Sequence, residues 1–298
     1  MPLRVGYVPE HFLTPLMQFN DDDRGATFTP VCCPSGTGQL IKALKEDQID
    51  IAIALTDPLL AGLAKGETCY KLCGSYVTSS LNWAVSTGAK SPYNSIADLK
   101  GTPIGISRIG SGSQTMACVM ALQQGWVGPD GKITPIEFKV CDDFKGLRDS
   151  VNDGSTSCFM WEWFTTKPYR DSGEVRFIGS VPTPWPSWMI ASSTDPKRAP
   201  SADVSDFLAK LSKYVQEFDS PEGRKQKDVD YLMKSHGYPE EDIRAWLETV
   251  KYVADCAEIK GEVLVNTHSV LEQTGFIQRP AGGFVVEDLV NKDVARLV

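Results

Sequence analysis

A segment rich in glycine and serine, residues 110–114 (GSGSQ), has the residue types that bind an anion through the backbone. It lies between a predicted strand and a predicted helix. Glycine lets the backbone approach a ligand closely, and the free N–H groups at the start of a helix attract negative charge. Arg108 could add a positive charge nearby. The segment is neither a dinucleotide fingerprint, which needs a third glycine, nor a P-loop, which needs a following lysine. An anion site and an ordinary capped turn both remain open.

Further polar and aromatic residues follow other predicted strands. Residues 9–12 (PEHF) follow the first strand, Thr56-Asp57 follows a later one, and residues 161–164 (WEWF) follow the strand over 157–160. Ser79-Ser80 and residues 184–188 (PWPSW) lie near a boundary between two halves of the chain. An aromatic cluster beside a carboxylate suits stacking and a hydrogen bond to a ring or an amine. The same tryptophans could instead belong to the core, and residues 184–188 could line a cleft or stiffen a hinge.

The sequence gives little support to nucleophilic or metal chemistry. Residues 105–109 (GISRI) break the nucleophile-elbow pattern at its final glycine. Of the three histidines, His236 and His268 are interpreted as cap or solvent residues, and only His11 lies in a strand-end loop. The eight cysteines form no CxxC pair and are interpreted as reduced core thiols. We therefore predict no catalytic residue and no metal site.

Composition excludes several classes of protein. The chain has 298 residues, 42% of them hydrophobic and 23% charged, with a net charge of −8. Nucleic-acid binding needs a basic face, and no basic cluster is visible. The longest apolar runs are far shorter than the roughly 20 residues that a membrane span needs. The sequence begins directly with a strand pattern rather than a secretory signal, which favours a cytoplasmic location unless a signal was removed.

The elements that must position these residues alternate between strands and helices. Strands are predicted over 4–8, 49–54 and 76–85, with a helix opening at 36–38. The run over 49–54 is rich in β-branched residues and nearly continuous in hydrophobicity, as in a parallel strand covered on both faces.

A second cycle follows residues 88–92. It has strands over 103–107, 135–140, 155–161 and 175–178, with helices over 95–100, after 113, and over 142–151. The remainder is mostly helical, with one amphipathic helix over 207–218, a glycine cap at Gly237 and a helix starting at Pro239.

This alternation predicts an α/β fold with two doubly wound lobes built on parallel sheets. Lobe 1 is predicted to comprise residues 1–86 and 186–298, and lobe 2 residues 87–185. The ligand is expected at the carboxyl ends of the strands, in a cleft between the lobes with a hinge.

With these elements placed, the chain resembles the two-lobed, type II periplasmic-binding-protein-like family. It is most similar to the branch that holds nitrate-, sulfonate- and taurine-binding proteins of ABC importers and the thiamine-pyrimidine-precursor proteins. The resemblance covers most of the chain to about residue 220 and is carried by residues 3–7, 43–53, 96–106, 110–113, 181–182 and 187–190. It implies a hinged receptor for a small molecule and leaves open a transporter partner.

By position, the ligand loops of that family fall on residues 9–12, Thr56-Asp57, Ser79-Ser80, 110–114 and Glu162. Fungal pyrimidine synthases of this branch carry a cysteine-dense motif and a PLP-binding lysine with an active-site histidine. Here only Cys32-Cys33 is present, and no histidine lies between His11 and His236. We therefore do not assign the pyrimidine synthase activity to this chain, and we predict no cofactor.

Two functions follow from these observations. The first is a binding protein for a small anionic or heteroaromatic metabolite, without covalent chemistry, nucleic acid or a membrane span. The alternative is an enzyme of thiamine-related or other metabolite biosynthesis on the same scaffold, with His11 or Glu162 as acid or base and Cys32 as a redox or sacrificial thiol. The predicted ligand-binding residues are Pro9, Glu10, His11, Thr56, Asp57, Ser79, Ser80, Arg108, Gly110, Ser111, Gly112, Ser113, Gln114, Glu162 and Trp185.

Overall fold

The computed structural model describes residues 1–279 and 282–298. Its strands are β1 (Leu3–Tyr7), β2 (Phe28–Cys32), β3 (Ile51–Leu55), β4 (Tyr70–Val77), β5 (Asn82–Gly88), β6 (Ile104–Ile106), β7 (Phe138–Val140), β8 (Cys158–Glu162), β9 (Val175–Pro182), β10 (Trp188–Ser193), β11 (Glu258–Ile259) and β12 (Arg296–Leu297).

The α-helices are α1 (Thr14–Asp23), α2 (Thr37–Lys45), α3 (Thr56–Ala64), α4 (Gly112–Gln123), α5 (Phe144–Asn152), α6 (Trp163–Asp171), α7 (Ser201–Phe218), α8 (Lys227–His236), α9 (Glu240–Thr249), α10 (Gly261–Gln273) and α11 (Val286–Leu289). Short 3₁₀ helices cover His11–Leu13 and Ile96–Leu99. No helix in the described part of the chain is long and apolar enough to cross a membrane.

The chain divides into two compact units. Unit 1 comprises residues 1–79, 185–266 and 280–298, and unit 2 comprises residues 80–184 and 267–279. These units differ from the predicted lobes, since residues 80–86 and 267–279 belong to unit 2 and Trp185 belongs to unit 1.

Unit 1 is built on a five-stranded sheet in the order β2-β1-β3-β10-β4. β1 pairs in parallel with β2 and β3, whereas β10 runs antiparallel to β3 and β4. The centre of the sheet is fully buried, with Val5, Ile51 and Ile53 at 0% exposure. Phe19 of α1 stacks on Tyr214 of α7, with ring centroids 4.8 Å apart, and these helices pack together in the same unit.

Unit 2 contains a second five-stranded sheet in the order β7-β6-β8-β5-β9. β6 pairs in parallel with β7 and β8, whereas β5 runs antiparallel to β8 and β9. Helix α5 packs Leu147 and Val151 against Phe159 and Val175 of the sheet. Two such sheets with flanking helices confirm the predicted α/β class, but the expectation of purely parallel sheets was wrong, because each sheet contains one reversed strand.

Two local predictions also need correction. The apolar run over 76–85 is two strands, β4 and β5, which end and begin on either side of the polar residues 78–80 and belong to different units. His268 was expected at the surface, but it lies in α10 with 3% exposure. The predicted glycine cap is confirmed, since Gly237 ends α8 in the left-handed conformation, with φ of 71°.

Candidate functional site

The predicted residues of unit 1 meet at one edge of its sheet. β1, β3 and β4 run in the same direction and end at this edge, and the antiparallel β10 begins there. Residues 9–11 follow β1, Thr56-Asp57 follow β3, Ser79 follows β4, and Trp185 precedes β10. The structure thus brings together the seven predicted residues Pro9, Glu10, His11, Thr56, Asp57, Ser79 and Trp185.

Hydrogen bonds tie the segments of this edge to one another. The Thr56 hydroxyl donates to the Pro186 carbonyl at 2.6 Å, and the Thr56 N–H donates to the Ser187 carbonyl at 3.0 Å. Ser187 in turn donates from its N–H and its hydroxyl to the Ser79 carbonyl, at 3.1 and 2.8 Å. The Ser79 hydroxyl accepts from the N–H of Lys251 at 3.1 Å. Much of the polarity that suggested a ligand site therefore serves to fix the loops.

His11 lies in an aromatic enclosure and not in an open loop. It is 1% exposed, and its ring centroid lies 4.6 Å from those of Phe12 and Trp246 and 5.5 Å from that of Tyr238. Burial, followed by the nearby imidazole of His236, lowers the pKa of His11 well below its usual value. The ring is therefore neutral at physiological pH.

Asp57 and Thr37 show what the sequence-based interpretation missed at this edge. Thr56 and Asp57, expected in a loop, open helix α3, and Asp57 is 1% exposed within its first turn. Thr37, assigned to a plain helix start, accepts a hydrogen bond from the N–H of Leu55 at 3.1 Å and is 2% exposed. The available signal for Thr37 was the Gly36-Thr37-Gly38 pattern, which places a hydroxyl at the start of a helix behind a strand.

The predicted residues of unit 2 also gather at the edge where its parallel strands end. β6 leads into residues 107–114, and β8 ends at Glu162. β5 begins beside them, since Trp83 is the register partner of Glu162, and the exposed Ser80 precedes it. The structure thus brings together Ser80, Arg108, Gly110, Ser111, Gly112, Ser113, Gln114 and Glu162 within unit 2.

The serine loop is ordered by its own side chains. Ser111 caps helix α4, and its hydroxyl lies 2.9 Å from that of Ser113. Gly110, in the left-handed conformation with φ of +80°, donates its N–H to the Gln114 side-chain oxygen at 2.7 Å. Since a bond between two hydroxyls uses one hydrogen, one serine O–H remains available as a donor.

The first N–H groups of α4 are also available. Within residues 1–279 and 282–298, no acceptor is found for the backbone N–H of Gly112 or of Ser113. The first turn of a helix leaves such donors unsatisfied, and the helix dipole favours an anion beside them. Arg108 immediately precedes this loop and is partly buried, and burial lowers its pKa from the ordinary arginine value. Arginine nevertheless stays cationic in proteins.

Glu162 has a clear structural role. It is 5% exposed, it caps helix α6, and its carboxylate accepts the Thr165 N–H at 2.6 Å. The Thr166 hydroxyl donates to the Glu162 carbonyl at 2.7 Å. An N-terminal cap of this kind places the carboxylate at the positive end of a helix, which stabilises its charge.

The buried cysteines have the character of core thiols. Burial raises the pKa of Cys73, Cys158 and Cys256 to about 12. Thiols of this kind stay protonated at neutral pH, whereas the thiolate is the nucleophile and the metal ligand. Cys32 is exposed, and all eight cysteines are free.

Comparison with known proteins identifies the fold. Residues 83–181 match the family model of Ca3427-like periplasmic binding proteins. The solved structure of the Candida albicans CA3427 gene product is 32% identical over 100% of this chain and 98% of its own, with a TM-score of 0.86. That protein is described as defining a family with the generic periplasmic binding protein fold. Comparison with the curated proteins found no match.

More distant structures share the fold. The alkanesulfonate-binding protein SsuA from Xanthomonas axonopodis pv. citri, bound to MOPS, is 17% identical over 97% of this chain and 98% of its own, with a TM-score of 0.74. The nitrate-binding protein NrtA from Synechocystis PCC 6803 is 13% identical over 98% of this chain and 86% of its own, with a TM-score of 0.73. On the strength of the Candida relative, this chain belongs to the CA3427 family of periplasmic-binding-protein-like proteins.

Proposed function

We propose that this protein binds a small molecule through an anionic group, held at the serine loop of unit 2. The observation that carries the proposal is the pair of backbone N–H groups at Gly112 and Ser113, which point to no acceptor in the described chain. A serine hydroxyl and the Arg108 guanidinium would complete the set of donors. Amide donors at a helix start, with a neighbouring arginine, suit the oxygens of a sulfonate, phosphate or carboxylate.

The second set of predicted residues lies at the edge of unit 1. Two aromatic rings at this edge, those of Phe12 and Trp188, have centroids 5.8 Å apart and are each 3% exposed, so they act as core contacts of unit 1. The expectation that both sets of residues close on one ligand stays a prediction.

Known relatives support an anion as the first class to test. SsuA is an alkanesulfonate-binding protein and NrtA a nitrate-binding protein. We therefore propose titration calorimetry with MOPS, taurine, nitrate, inorganic phosphate and phosphorylated thiamine-pathway pyrimidines. At least one of these anions should bind, and none should require a metal or an added cofactor. Absence of binding by all of them would contradict the anion site.

A substitution at the first residue of α4 tests the backbone donors directly. Gly112→Pro removes the N–H group, while proline is well tolerated at the first helical position. Ser111 already has the extended conformation that a following proline needs, with φ of −76° and ψ of 158°. Gly112→Ala is the matched control, because it adds a side chain but keeps the N–H. Affinity for the bound anion should fall by about 1–3 kcal/mol more in the proline variant than in the alanine variant.

Side-chain variants complete the test. Ser113→Ala and Arg108→Ala should each weaken the same anion by about 1–3 kcal/mol. Ser172→Ala and Arg170→Ala are controls in unit 2, because both residues are exposed and lie at the far end of α6. Unchanged affinity in Ser113→Ala and Arg108→Ala would remove these residues from the site.

A further inference from the structure

Unit 2 contains a cavity at the edge of its sheet opposite the serine loop. Its volume is about 440 Å³, within the usual range for sites that hold small organic molecules. It lies between residues 89–93, which follow β5, and residues 151–157, which join the end of α5 to β8. β8 begins at this edge and the antiparallel β5 ends there, whereas the serine loop follows the carboxyl end of β6. The cavity shares no residue with the predicted ligand-binding set.

Hydrogen bonds hold the two segments beside this cavity in place. The Ala89 N–H donates to the Asn152 side-chain oxygen at 3.1 Å, and the Thr87 hydroxyl donates to the Ser157 carbonyl at 2.7 Å. Both bonds join the end of β5 to the segment between α5 and β8. The walls of the cavity are therefore positioned by contacts within unit 2.

One buried hydroxyl of the lining has no partner. Ser157 is 4% exposed, and its backbone N–H and carbonyl are both hydrogen-bonded. Its hydroxyl makes no hydrogen bond in the described chain, and the hydroxyl oxygen keeps accessible surface, so that a molecule in the cavity can reach it. A buried hydroxyl without a partner is unfavourable, and a ligand oxygen would satisfy it.

Two opposite charges also line the cavity. Lys90 and Asp153 are exposed, and within the described residues neither forms an ion pair. Hydrogen bonds from Ser155 hold the pKa of Asp153 below its usual value, so its carboxylate is ionised at neutral pH. Asp153 directly follows α5, whose C-terminal end also favours a cation. This arrangement suits a molecule that carries both a carboxylate and an ammonium group.

From these observations we propose a second binding site, in unit 2, for a free amino acid with an apolar side chain. The carboxylate of the ligand would accept a hydrogen bond from the Ser157 hydroxyl and lie near Lys90. Its ammonium group would lie near Asp153 at the end of α5. Its side chain would pack on the half-buried ring of Tyr93 and on Val151, which both line the cavity.

Three related probes separate the two charges of the ligand. L-Leucine carries both charges, L-leucinamide lacks the carboxylate, and N-acetyl-L-leucine lacks the ammonium group. At about pH 6.5 the free amines are protonated. Binding is followed by the backbone amide cross-peaks of residues 89–93 and 151–157 in a nitrogen–proton correlation spectrum. Leucine should shift these cross-peaks and bind more tightly than either analogue.

Charge variants assign each end of the ligand. Lys90→Gln should weaken leucine about two- to fivefold and leave leucinamide unchanged, because leucinamide has no carboxylate. Asp153→Asn should weaken leucine to a similar extent and leave N-acetylleucine unchanged. The matched controls are Lys100→Gln and Asp130→Asn, since both residues are exposed outside the cavity. Asp130, like Asp153, accepts the N–H two residues further along the chain. Both control variants should bind leucine as the wild type does.

Ser157→Ala tests the buried hydroxyl. It should weaken leucine about three- to tenfold, because one hydrogen bond to the carboxylate is lost. The hydroxyl bonds to nothing in the described chain, so unfolding by urea should show no loss of stability in this variant. Ser180→Ala is the control, because Ser180 is exposed on β9 and does not line the cavity.

Two results would overturn the proposal: cross-peaks of residues 89–93 and 151–157 that leucine does not move, or analogues that both bind as tightly as leucine. Gly112→Pro should leave leucine binding unchanged, because Gly112 lies at the opposite edge of the sheet. This variant keeps the test independent of the proposed anion site, so that either proposal can fail alone.

Discussion

Acid sensitivity of unit 1 should depend on His11. The side chain is buried at 1% exposure among Phe12, Tyr238 and Trp246, and burial lowers its pKa well below the ordinary value. In the unfolded chain the same imidazole takes up a proton near pH 6.5. Below that pH the unfolded state binds a proton that the folded state does not, so the free energy of unfolding falls as pH falls. The contribution of this group is present in full above pH 6.5.

The size of the effect follows from linkage. For a group that stays neutral in the folded state, each pH unit well below 6.5 costs about 1.4 kcal/mol. Integrated from pH 7.5 to pH 5.0, this amounts to at most about 2 kcal/mol. A His11→Gln variant has no titrating group at this position and should lack this part of the pH dependence. Carboxylates that do not approach His11 contribute equally to both proteins and cancel in the difference, whereas the Glu10 carboxylate lies 3.9 Å from the His11 Nδ1 atom.

Urea unfolding followed by circular dichroism at several pH values measures this difference. The wild type should lose more stability than His11→Gln between pH 7.5 and pH 5.0, by at most about 2 kcal/mol. His236→Gln is the comparison variant, because it keeps His11, and desolvation is the larger cause of the lowered pKa of His11. Since burial also lowers the pKa of His236, this variant should lose the part of the pH dependence that belongs to His236. Parallel pH profiles for wild type and His11→Gln would refute the reasoning, since the buried imidazole would then take up its proton without cost.

Two further substitutions test packing in unit 1, each by urea unfolding at neutral pH. Gly74→Ala would place a methyl group 2.1 Å from the carbonyl oxygen of Cys256 and should reduce the free energy of unfolding by at least about 1–3 kcal/mol. Gly261→Ala is the control: the nearest atom to its methyl group would lie at 3.7 Å, so the free energy of unfolding should change by less than about 0.5 kcal/mol. Equal stability of these two variants would contradict the close approach at β4. Thr56→Val removes the hydroxyl that donates to the Pro186 carbonyl and should reduce the free energy of unfolding by about 1–2 kcal/mol. Thr56→Ser keeps a hydroxyl and should recover most of this loss. A valine variant as stable as the wild type would show that this hydrogen bond does not stabilise the edge of the sheet.

The sequence predicted the α/β class because hydrophobic runs and turn residues mark elements locally. The strand over 49–54 and the amphipathic helix over 207–218 correspond to β3 and α7. Strand direction is not a local property. β5 and β10 are as buried as their parallel neighbours, and nothing in their composition shows that they run the opposite way.

The error at residues 76–85 has a similar cause. Residues on both sides of Thr78-Ser79-Ser80 are apolar, and the polar triplet is short enough to be interpreted as part of one longer strand. In the structure Tyr76 and Val77 are fully buried in unit 1, whereas Trp83 and Ala84 are buried in unit 2. The burial of each half is set by a different sheet, and that information comes from contacts distant in sequence.

Residue type also could not distinguish polar groups that hold loops from polar groups that hold a ligand. Thr56 was predicted as a ligand contact because it follows a strand, and Ser79 because it lies near the boundary between the two halves of the chain. The structure directs the Thr56 hydroxyl to a backbone carbonyl and uses both the carbonyl and the hydroxyl of Ser79 in bonds between loops. At the serine loop the same residue types leave the Gly112 and Ser113 N–H groups without an acceptor in the described chain. The difference arises because a helix start exposes donors that its own turns cannot satisfy, whereas loops between strands can satisfy one another. Available donors are therefore a better guide to the ligand than polar composition, and they point first to unit 2.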